Sequence, residues 1–158
     1  MPKTALEKLR APMDVRIVNE LPAGAKHWGP PGATMVISTP QEIESFVAQI
    51  PKGRLATLET LRHAIALRHD TTITCPVTTG LFLNTVARAA EEQAMMGSKR
   101  ITPWWRVIRT DGSLNEKFPG GVEEHQKRLI SEGHAILKSG RSKLRVIDFE
   151  EKLSRFQA

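Results

Sequence analysis

Residues 102–121 read TPWWRVIRTDGSLNEKFPGG, a stretch in which strand-forming residues give way to turn residues. Residues 101–109 are rich in side chains that favour β-strands, and residues 110–113 have the composition of a turn. A short second strand is expected after the turn, so the stretch predicts a β-hairpin. Trp104 and Trp105 stand side by side near its start, in a chain that has three tryptophans and no tyrosine.

Three helices are predicted before this hairpin. Residues 39–42 (TPQE) have the capping-box pattern with a proline at the first helical position, and apolar residues follow at helical spacing up to Ile50. Thr57 is suited to cap a second helix that ends near Arg68, and a third helix is expected over 77–96. Two helices, a longer helix and a hairpin follow one another in a winged helix-turn-helix domain. The expected fold is therefore mainly α with a small β-hairpin.

The first 38 residues precede this domain, which we place at residues 39–134. They contain five prolines and the loop-like stretch PAGAKHWGPPGA. This composition predicts an extended, partly ordered arm over the surface of the domain. Short strands are expected within the arm near residues 15–18 and 34–37.

After the hairpin, residues 122–132 predict a short basic amphipathic helix that ends at Gly133. The remaining residues, 135–158, predict a basic C-terminal extension. It contains the strand-like sequence LRVI at 144–147, and a last helix is expected to begin at Asp148. No repeat or low-complexity tract interrupts this order of elements.

The composition favours one soluble globular domain with short additional segments. The chain has 158 residues, of which 40% are hydrophobic and 25% are charged. It lacks an apolar run of the roughly 18 residues that a membrane span needs, and its N-terminus lacks the apolar core of a secretory signal, so we expect a cytoplasmic protein without a membrane partner. A single cysteine excludes an intramolecular disulfide and cysteine-based zinc sites, and the five histidines have no metal-ligand spacing. We expect no metal and no cofactor.

The formal net charge of +6 is concentrated in the C-terminal half of the chain. Residues 99–145 contain eleven lysines and arginines against five acidic residues, an excess equal to that of the whole chain. Such a charge distribution favours a polyanionic partner, and an ordinary solvated basic surface is the alternative interpretation.

Three stretches in a fixed order resemble a known family. The sequence IPKGRLAT at 50–57, the 102–121 stretch and QKRLISEGH at 126–134 together resemble the DNA-binding domain of the methylated-DNA–protein-cysteine methyltransferases, over about residues 40–134. Members of that family repair alkylated guanine in DNA and have a Pro-Cys-His-Arg-Val motif, a Gly-Gly loop and a Leu-Leu-x-x-Glu-Gly helix. The resemblance implies a winged helix that binds double-stranded DNA.

The resemblance also implies which residues occupy the reactive positions. In the family a cysteine accepts the alkyl group, the histidine after it takes the thiol proton, and a glutamate in the closing helix orients that histidine. Trp104 lies at the cysteine position and Trp105 at the histidine position, whereas Glu132 matches the glutamate. An indole has no nucleophilic proton to lose at neutral pH. We therefore expect no alkyl transfer at this site, and no enzyme activity of the family's kind.

A subgroup of the family, the alkyltransferase-like proteins, has another residue in place of the cysteine, commonly tryptophan. Those proteins are thought to bind alkylated guanine without repairing it and to mark it for nucleotide excision repair, which implies DNA repair proteins as further partners. This chain departs from the family at two positions that help to turn out the target nucleotide. Leu58 replaces a tyrosine, and Val77 replaces an arginine at the start of the recognition helix.

The two tryptophans are the first candidate site residues. Stacking of a base on an aromatic ring contributes about 1–3 kcal/mol, which helps to offset the unstacking of an extruded base. Because adjacent residues on a strand point to opposite faces, we expect one ring to point inward and the other to line a base pocket, with Trp104 as the first candidate for the pocket and Trp105 as the second. Packing of one or both rings in the core is the alternative.

Further residues are expected at a DNA surface. Polar side chains of the third helix are suited to contact DNA phosphates or base edges. Glu91 and Glu92 follow them, and acidic side chains near phosphates are unfavourable. An ordinary solvated helix face is the alternative. Basic residues of the hairpin suit phosphates, and a glycine pair suits a turn with positive φ beside the pocket. These candidates are Thr78, Thr79, Asn84, Arg88, Arg106, Arg109, Lys117, Gly120 and Gly121.

Three functions remain open from the sequence. The first is an alkyltransferase-like protein that recognises alkylated guanine in DNA without alkyl transfer. The second is a winged-helix module that has lost lesion recognition and binds DNA or a protein partner, and two indoles that fill a closed pocket would favour it. The third is an enzyme whose nucleophile has moved to Cys75, just before the third helix, although we expect that thiol to be buried and unreactive.

Overall fold

The computed structural model describes residues 2–140 and 143–156. Its elements in chain order are α1 (Ala5–Arg10), β1 (Arg16–Val18), a 3₁₀ helix (Ala23–Trp28), β2 (Met35–Ile37), α2 (Pro40–Val47), β3 (Ala56–Thr57), α3 (Leu58–Arg68), β4 (Ile73–Thr74), α4 (Pro76–Met95), a 3₁₀ turn (Trp104–Arg106), β5 (Val107–Ile108), α5 (Gly121–Ser131), β6 (Ile136–Ser139), β7 (Lys143–Val146) and a final 3₁₀ turn (Phe149–Lys152). Helices joined by small sheets agree with a mainly α fold that includes a small hairpin. Residues 141 and 142 of the basic extension lie outside the described residues.

Local sequence signals place the helix ends correctly. The Thr39 hydroxyl accepts a hydrogen bond from the backbone N–H of Glu42 at 3.1 Å, and the Thr57 hydroxyl accepts one from the N–H of Thr60 at 3.1 Å. Both predicted N-caps are therefore confirmed. α4 ends just before Gly97, whose φ of +99° a glycine adopts without strain. These signals suffice because each cap satisfies a group only a few residues away.

The first 38 residues contain two helical segments and pack into the core of the domain. The prediction of an extended arm is wrong because the segment is neither wholly extended nor confined to the surface. The two expected strands are present, since β1 pairs antiparallel with β2, and β2 in turn pairs parallel with β4. α1 was not predicted from the sequence. It packs on α4. The Glu92 carboxylate of α4 caps it by accepting hydrogen bonds from the N–H groups of Ala5 and Leu6 at 3.1 and 2.8 Å. Burial of Leu9 and Val36 in the main core offsets the entropy lost in ordering this segment.

The β-hairpin lies in the C-terminal extension, so its prediction within residues 102–121 is wrong. β6 and β7 pair antiparallel, with Ile136 opposite Val146. Residues 104–106 form a 3₁₀ turn after Pro103, and β5 then pairs parallel with β3, which lies far away in the sequence. A proline lacks the N–H that a strand ladder needs, and the tight turn allows both tryptophans to be buried.

The C-terminal segment closes over the 109–114 turn. The N–H of Leu114 donates to the carbonyl of Leu144 at 2.9 Å, and the N–H of Val146 donates to the carbonyl of Gly112 at 2.9 Å. These bonds replace the second strand that was expected after the turn. They exist because β7 offers free backbone groups there, which the local sequence of the turn does not reveal.

The end of the chain differs from its prediction. The segment after Asp148 is a 3₁₀ turn and not an α-helix, and the Asp148 side chain makes no capping hydrogen bond. Phe149 instead packs on the turn, where a Cβ on Gly112 would lie 2.4 Å from the phenyl ring. Gly112 also has a φ of +87°, so both the contact and the backbone require a glycine.

The buried apolar side chains of the described residues form three clusters. The first gathers residues from α1, α2, α3 and α4 together with Trp104, and the second gathers residues from the 109–114 turn, α5 and β7. Trp105 packs against both of these clusters, and the third cluster consists of Leu21, Ala33, Met35 and Cys75. Within the described ranges, no helix has the length and apolar character that crossing a membrane requires.

Candidate nucleic-acid interface

Trp104 and Trp105 lie in the 3₁₀ turn before β5. The Arg106 N–H closes this turn by donating to the Pro103 carbonyl at 3.1 Å. Trp104 is 0% exposed, whereas Trp105 is partly buried. Successive residues of a 3₁₀ helix are about 120° apart, so the rule of opposite faces for a strand does not apply. The prediction that Trp104 lines an open pocket is therefore wrong, and the alternative of core packing is confirmed for this ring.

Other aromatic rings surround the Trp104 indole. Its centroid lies 5.1 Å from that of Phe118, 6.0 Å from that of His125 and 5.7 Å from that of Trp105. The two indoles meet edge to face at an interplanar angle of 85°. A base would have to displace one of these rings to stack on Trp104, so Trp104 supports the site from within the core.

Arg128 of α5 covers both indoles. Its guanidinium carbon lies 5.0 Å from the centroid of Trp104 and 4.7 Å from that of Trp105. Its Nε donates to Glu124 at 2.9 Å, and the Glu91 carboxylate accepts from another of its nitrogens. Arg128 was not a candidate from the sequence. Glu124 lies four positions earlier on the same helix, and that spacing predicts an ion pair between the two side chains. Glu91 therefore serves an internal ion pair.

Arg106 and Glu132 form a buried ion pair. The Arg106 guanidinium donates to the Glu132 carboxylate at 2.9 and 2.7 Å and to the Ile50 carbonyl at 2.7 Å. The two side chains are 14% and 7% exposed. Burial raises the pKa of Glu132, but the hydrogen bonds and the positive charge of Arg106 outweigh it and hold that pKa below its usual value. Arg106, which was expected to contact DNA phosphates, is bound instead to Glu132.

His125 lies inside the aromatic cluster and is fully buried. Its Nε2–H donates to the Trp105 carbonyl at 2.8 Å, and its Nδ1 accepts from the Asn115 N–H at 3.3 Å, so the imidazole is neutral. Burial lowers its pKa from 6.5 to about 4, against the smaller opposing effect of the hydrogen bond to Trp105. The sequence analysis considered His125 only as a metal ligand. Its spacing of four from the buried Leu129 was the signal for a core histidine.

Lowering the pH from 6.5 to 4 is expected to destabilise the fold through His125. The unfolded imidazole takes up a proton near pH 6.5 and the folded one only near pH 4, so stability present above pH 6.5 is lost as the pH falls towards 4. The linked loss is at most about 3 kcal/mol. Urea unfolding of the wild type and of His125→Gln at several pH values measures it. A wild-type pH slope no steeper than that of the variant would contradict a buried neutral His125, and His27→Gln at an exposed position is the control.

A cleft of about 930 Å³ opens between the start of α3, the 109–114 turn, the start of α5 and β7. Its apolar walls come from Leu58, Leu114, Val122 and Leu144. Leu114 belongs to the cluster against which Trp105 packs, whereas neither indole lines the cleft. Its volume falls in the range of roughly 300–1,000 Å³ that is typical of small-molecule sites.

The glycine pair leads from the turn into α5 and has the backbone that the sequence predicted. Gly120 and Gly121 have φ of +82° and +68°. A Cβ on Gly120 would lie 2.5 Å from the Cβ of Glu124, so a side chain cannot be placed there without a shift of the helix. The pair sets the direction in which Val122 enters the cleft.

Ion pairs compensate the charges of the cleft. Arg109, which was expected to contact phosphates, donates to the Glu116 carboxylate at 2.8 Å, and Lys143 pairs with Asp111. The hydrogen bond from Lys143 lowers the pKa of Asp111 well below its usual range, with a further contribution from Ser113. A DNA phosphate would thus compete with carboxylates for Arg109 and Lys143. Lys117 is exposed on the same loop.

The outer face of α4 is mostly apolar at its beginning. Val77 and Leu81 are 56% and 62% exposed, and Asn84 and Arg88 continue the same line along the helix at spacings of three and four. The oxygen of the Asn84 amide is shielded and has no hydrogen-bond partner among the described residues. Arg88 is exposed, and its contact with DNA stays a prediction.

The two threonines of α4 have different surroundings. Thr78 is partly buried, and its hydroxyl has no partner among the described residues. Thr79 is buried and its hydroxyl donates to the Cys75 carbonyl at 2.6 Å, so its assignment to the DNA surface is wrong. A threonine in the first turn of a helix readily bonds back to the carbonyl four residues earlier, which is a local alternative to an outward contact.

Cys75 lies at the start of α4 with its thiol directed into the core. It is buried against Leu21, Ala33 and Met35, and it makes no capping hydrogen bond through its side chain. The expectation of a buried thiol is confirmed. Among the described residues, no three histidine, cysteine, aspartate or glutamate side chains come together as a possible metal site.

No family model and no curated protein matches this chain. Among solved structures, the chain resembles S. pombe ATL in complex with DNA, with 18% sequence identity and a TM-score of 0.50. It also resembles S. pombe Atl1 in complex with damaged DNA containing O6-carboxymethylguanine, with 19% identity and a TM-score of 0.48. Each alignment covers 73% of this chain and 94% of the other. At this identity the likeness to S. pombe ATL is one of fold.

Proposed function

We propose that this chain is an alkyltransferase-like protein that binds duplex DNA without alkyl transfer and receives an alkylated guanine in the cleft at Leu58. The observation that carries the proposal is the cleft itself, which combines about 930 Å³ of space with apolar walls from Leu114, Val122 and Leu144. An enzyme or binding protein that extrudes a base needs a concave site of this size to receive it. The fold shared with S. pombe ATL is consistent with this function.

Residues 39–134 would act as a winged-helix DNA-binding domain, with one change from the sequence-based proposal. α4 is the recognition helix and presents Asn84 and Arg88 to the DNA. The change is that the hairpin of β6 and β7, which follows residue 134 in the C-terminal extension, takes the place of the wing. Arg109 and Lys143 at the cleft exchange their carboxylate partners for phosphates as DNA binds, which makes the affinity depend on salt.

Alkyl transfer does not occur in this proposal because no thiol lines the cleft among the described residues. Indoles occupy positions 104 and 105, and neither can take up an alkyl group as a thiolate does. The thiol of Cys75 packs in another cluster with Leu21 and Met35. A bound lesion therefore leaves unchanged, and the role that we propose is to mark it for DNA repair proteins.

Filling the cleft is expected to abolish the preference for a lesion while leaving general DNA binding intact. Leu58→Trp places an indole in the cleft, whereas Leu67→Trp, at a leucine of the same helix that is 63% exposed, is the matched control. Binding to duplexes with and without one O6-methylguanine is measured by fluorescence anisotropy. The wild type and Leu67→Trp should prefer the lesion by about tenfold, which is within the free energy of one stacked base, and Leu58→Trp should show no preference.

Salt dependence and protein mass complete this experiment. The logarithm of the binding constant should fall linearly with the logarithm of salt concentration between about 50 and about 200 mM. Equal dissociation constants for both duplexes would contradict lesion recognition, and weak binding that ignores salt would contradict DNA binding. A protein mass increased by an alkyl group after incubation would contradict the absence of transfer.

A protein-interaction module is the second candidate function, and the exposed apolar side chains of α4 favour it. Val77 and Leu81 form an exposed apolar patch on the helix that would otherwise face DNA. Trp104 is packed in the core and leaves no open pocket at its own ring. This candidate predicts DNA binding that is weak and insensitive to salt. The anisotropy titration therefore decides between the two candidates.

A further inference from the structure

A second cavity, of about 420 Å³, lies apart from the cleft at Leu58. The 3₁₀ helix of the N-terminal segment contributes Trp28, and α3 contributes Glu59, Arg62 and His63. Ile73 of β4 also lines the cavity, which is therefore bordered by the N-terminal segment, α3 and β4. No residue lines both cavities. The volume is large enough for a small ligand.

Arg62 gives this cavity an unusual charge. It is partly buried, yet its side chain makes no hydrogen bond or ion pair within the described ranges. Arg106 and Arg128 are also partly buried, and carboxylates bind both of them. A partly desolvated guanidinium without a counter-ion is unfavourable, and it is suited to bind an anion in a bidentate manner. His63, next to it on α3, adds a second nitrogen donor.

The position of Arg62 is set by the backbone beneath it. The Thr74 hydroxyl donates to the Arg62 carbonyl at 2.7 Å, which ties α3 to β4 where the cavity forms. α3 is itself capped at Thr57, so Arg62 and His63 project from a rigid element. A site on a helix with both ends fixed needs little reorganisation when a ligand binds.

Trp28 gives the cavity a flat apolar surface. The centroid of its ring lies 5.7 Å from that of His27 in an edge-to-face arrangement, and the ring packs against the cluster that contains Leu21, Met35 and Cys75. These contacts fix the orientation of the indole. An indole that is fixed and partly buried stacks well with a planar heterocycle. The Glu59 carboxylate at the cavity is an acceptor for the N–H groups at the edge of such a ring.

We propose that this cavity binds a single nucleotide, with the base against Trp28 and the phosphate at Arg62 and His63. Glu59 accepts hydrogen bonds from the amino or ring N–H groups of the base, which favours guanine over thymine because guanine presents two adjacent donors. The nucleotide is either free in solution or part of a single strand. This site is independent of the proposed recognition of a lesion, since it uses other residues and another surface.

The test uses the full chain and four probes: guanosine monophosphate, guanosine, inorganic phosphate and a short single-stranded oligonucleotide that contains guanine. Calorimetry measures each dissociation constant for the wild type, Arg62→Gln, Trp28→Leu and the control Arg10→Gln, which changes an exposed arginine of α1. We expect each of the two cavity variants to weaken nucleotide binding by about tenfold or more, and the control to leave it unchanged. Guanosine and inorganic phosphate should each bind at least about tenfold more weakly than the nucleotide.

The outcomes separate the possible ligands. Binding of the monophosphate supports a free nucleotide, and binding of the oligonucleotide alone supports a nucleotide within a strand. Absence of saturable binding by both would overturn the proposal, as would inorganic phosphate that binds as tightly as the monophosphate and ignores Trp28→Leu. Thermal unfolding verifies that each variant folds. Leu58→Trp should leave nucleotide binding unchanged, and Arg62→Gln should leave the lesion preference unchanged, so failure of one proposal is distinguishable from failure of the other.

Discussion

Replacing Trp104 with alanine is expected to lower the free energy of unfolding by about 3–5 kcal/mol, the range for loss of a large buried aromatic side chain. Trp104 is 0% exposed and joins the helices of the main core to Phe118 and His125. Removal of its ring leaves a cavity that rigid neighbours fill only in part. The variant also removes one of the two ring surfaces under the Arg128 guanidinium. Urea unfolding followed by circular dichroism measures the loss.

Two control variants test whether the loss of stability comes from the buried ring. Trp104→Phe keeps part of the ring and should lose less than the alanine variant, and Met96→Ala at an exposed position should change stability by less than about 0.5 kcal/mol. A Trp104→Ala variant as stable as the wild type would contradict the core position of the indole. It would revive the interpretation in which this ring faces a bound base.

Replacing Glu132 with glutamine is expected to destabilise the protein by about 3–5 kcal/mol, the range for removal of one partner of a buried ion pair. The substitution removes the carboxylate that neutralises Arg106, whose side chain is 14% exposed, and leaves it with neutral partners: an amide oxygen, the Ile50 carbonyl and the Trp105 ring. The loss therefore reflects an unpaired buried charge more than a missing hydrogen bond. Arg106→Met should cost a similar amount, because it leaves Glu132 without its counter-ion.

A double-mutant cycle tests whether the pair acts as a unit. Arg106→Met combined with Glu132→Leu removes both charges, so it should be less destabilising than the sum of the two single variants by at least about 1 kcal/mol. The exposed pair of Arg109 and Glu116 is the matched control, and alanine at either position should change stability by less than about 1 kcal/mol. Equal losses at the two pairs would contradict a special role of burial at Arg106.

The helices could be predicted because their signals are local. Thr39 and Thr57 cap groups three residues away, and Gly97 ends α4 through its own backbone. The strands of the N-terminal segment were also recognisable, since β1 and β2 carry their own apolar residues. α1 was not recognised, because its stability comes from Glu92 and the surface of α4, which are more than 80 positions away in the chain.

The candidate site was predicted in its chemistry and not in its arrangement. The absence of a thiol at position 104 and of a base at position 105 follows from the sequence itself, and no fold can restore them. Arg106 and Arg109 were assigned to phosphates by their charge, but carboxylates bind both of them. Arg106 pairs with Glu132, which is distant in the sequence, and Arg109 pairs with Glu116. Charge alone does not reveal a counter-ion that only the folded chain brings near.

The sequence by itself determined the positions of α2, α3 and α4, the two adjacent indoles at positions 104 and 105 and the basic character of the C-terminal half. Only the tertiary structure decided that Trp104 is buried, that Arg128 covers both rings, and that β7 pairs with the 109–114 turn. The physical reason is the range of the interactions. Caps, turns and side-chain chemistry act within a few residues, whereas burial and ion pairing depend on surfaces that meet only after the chain has folded.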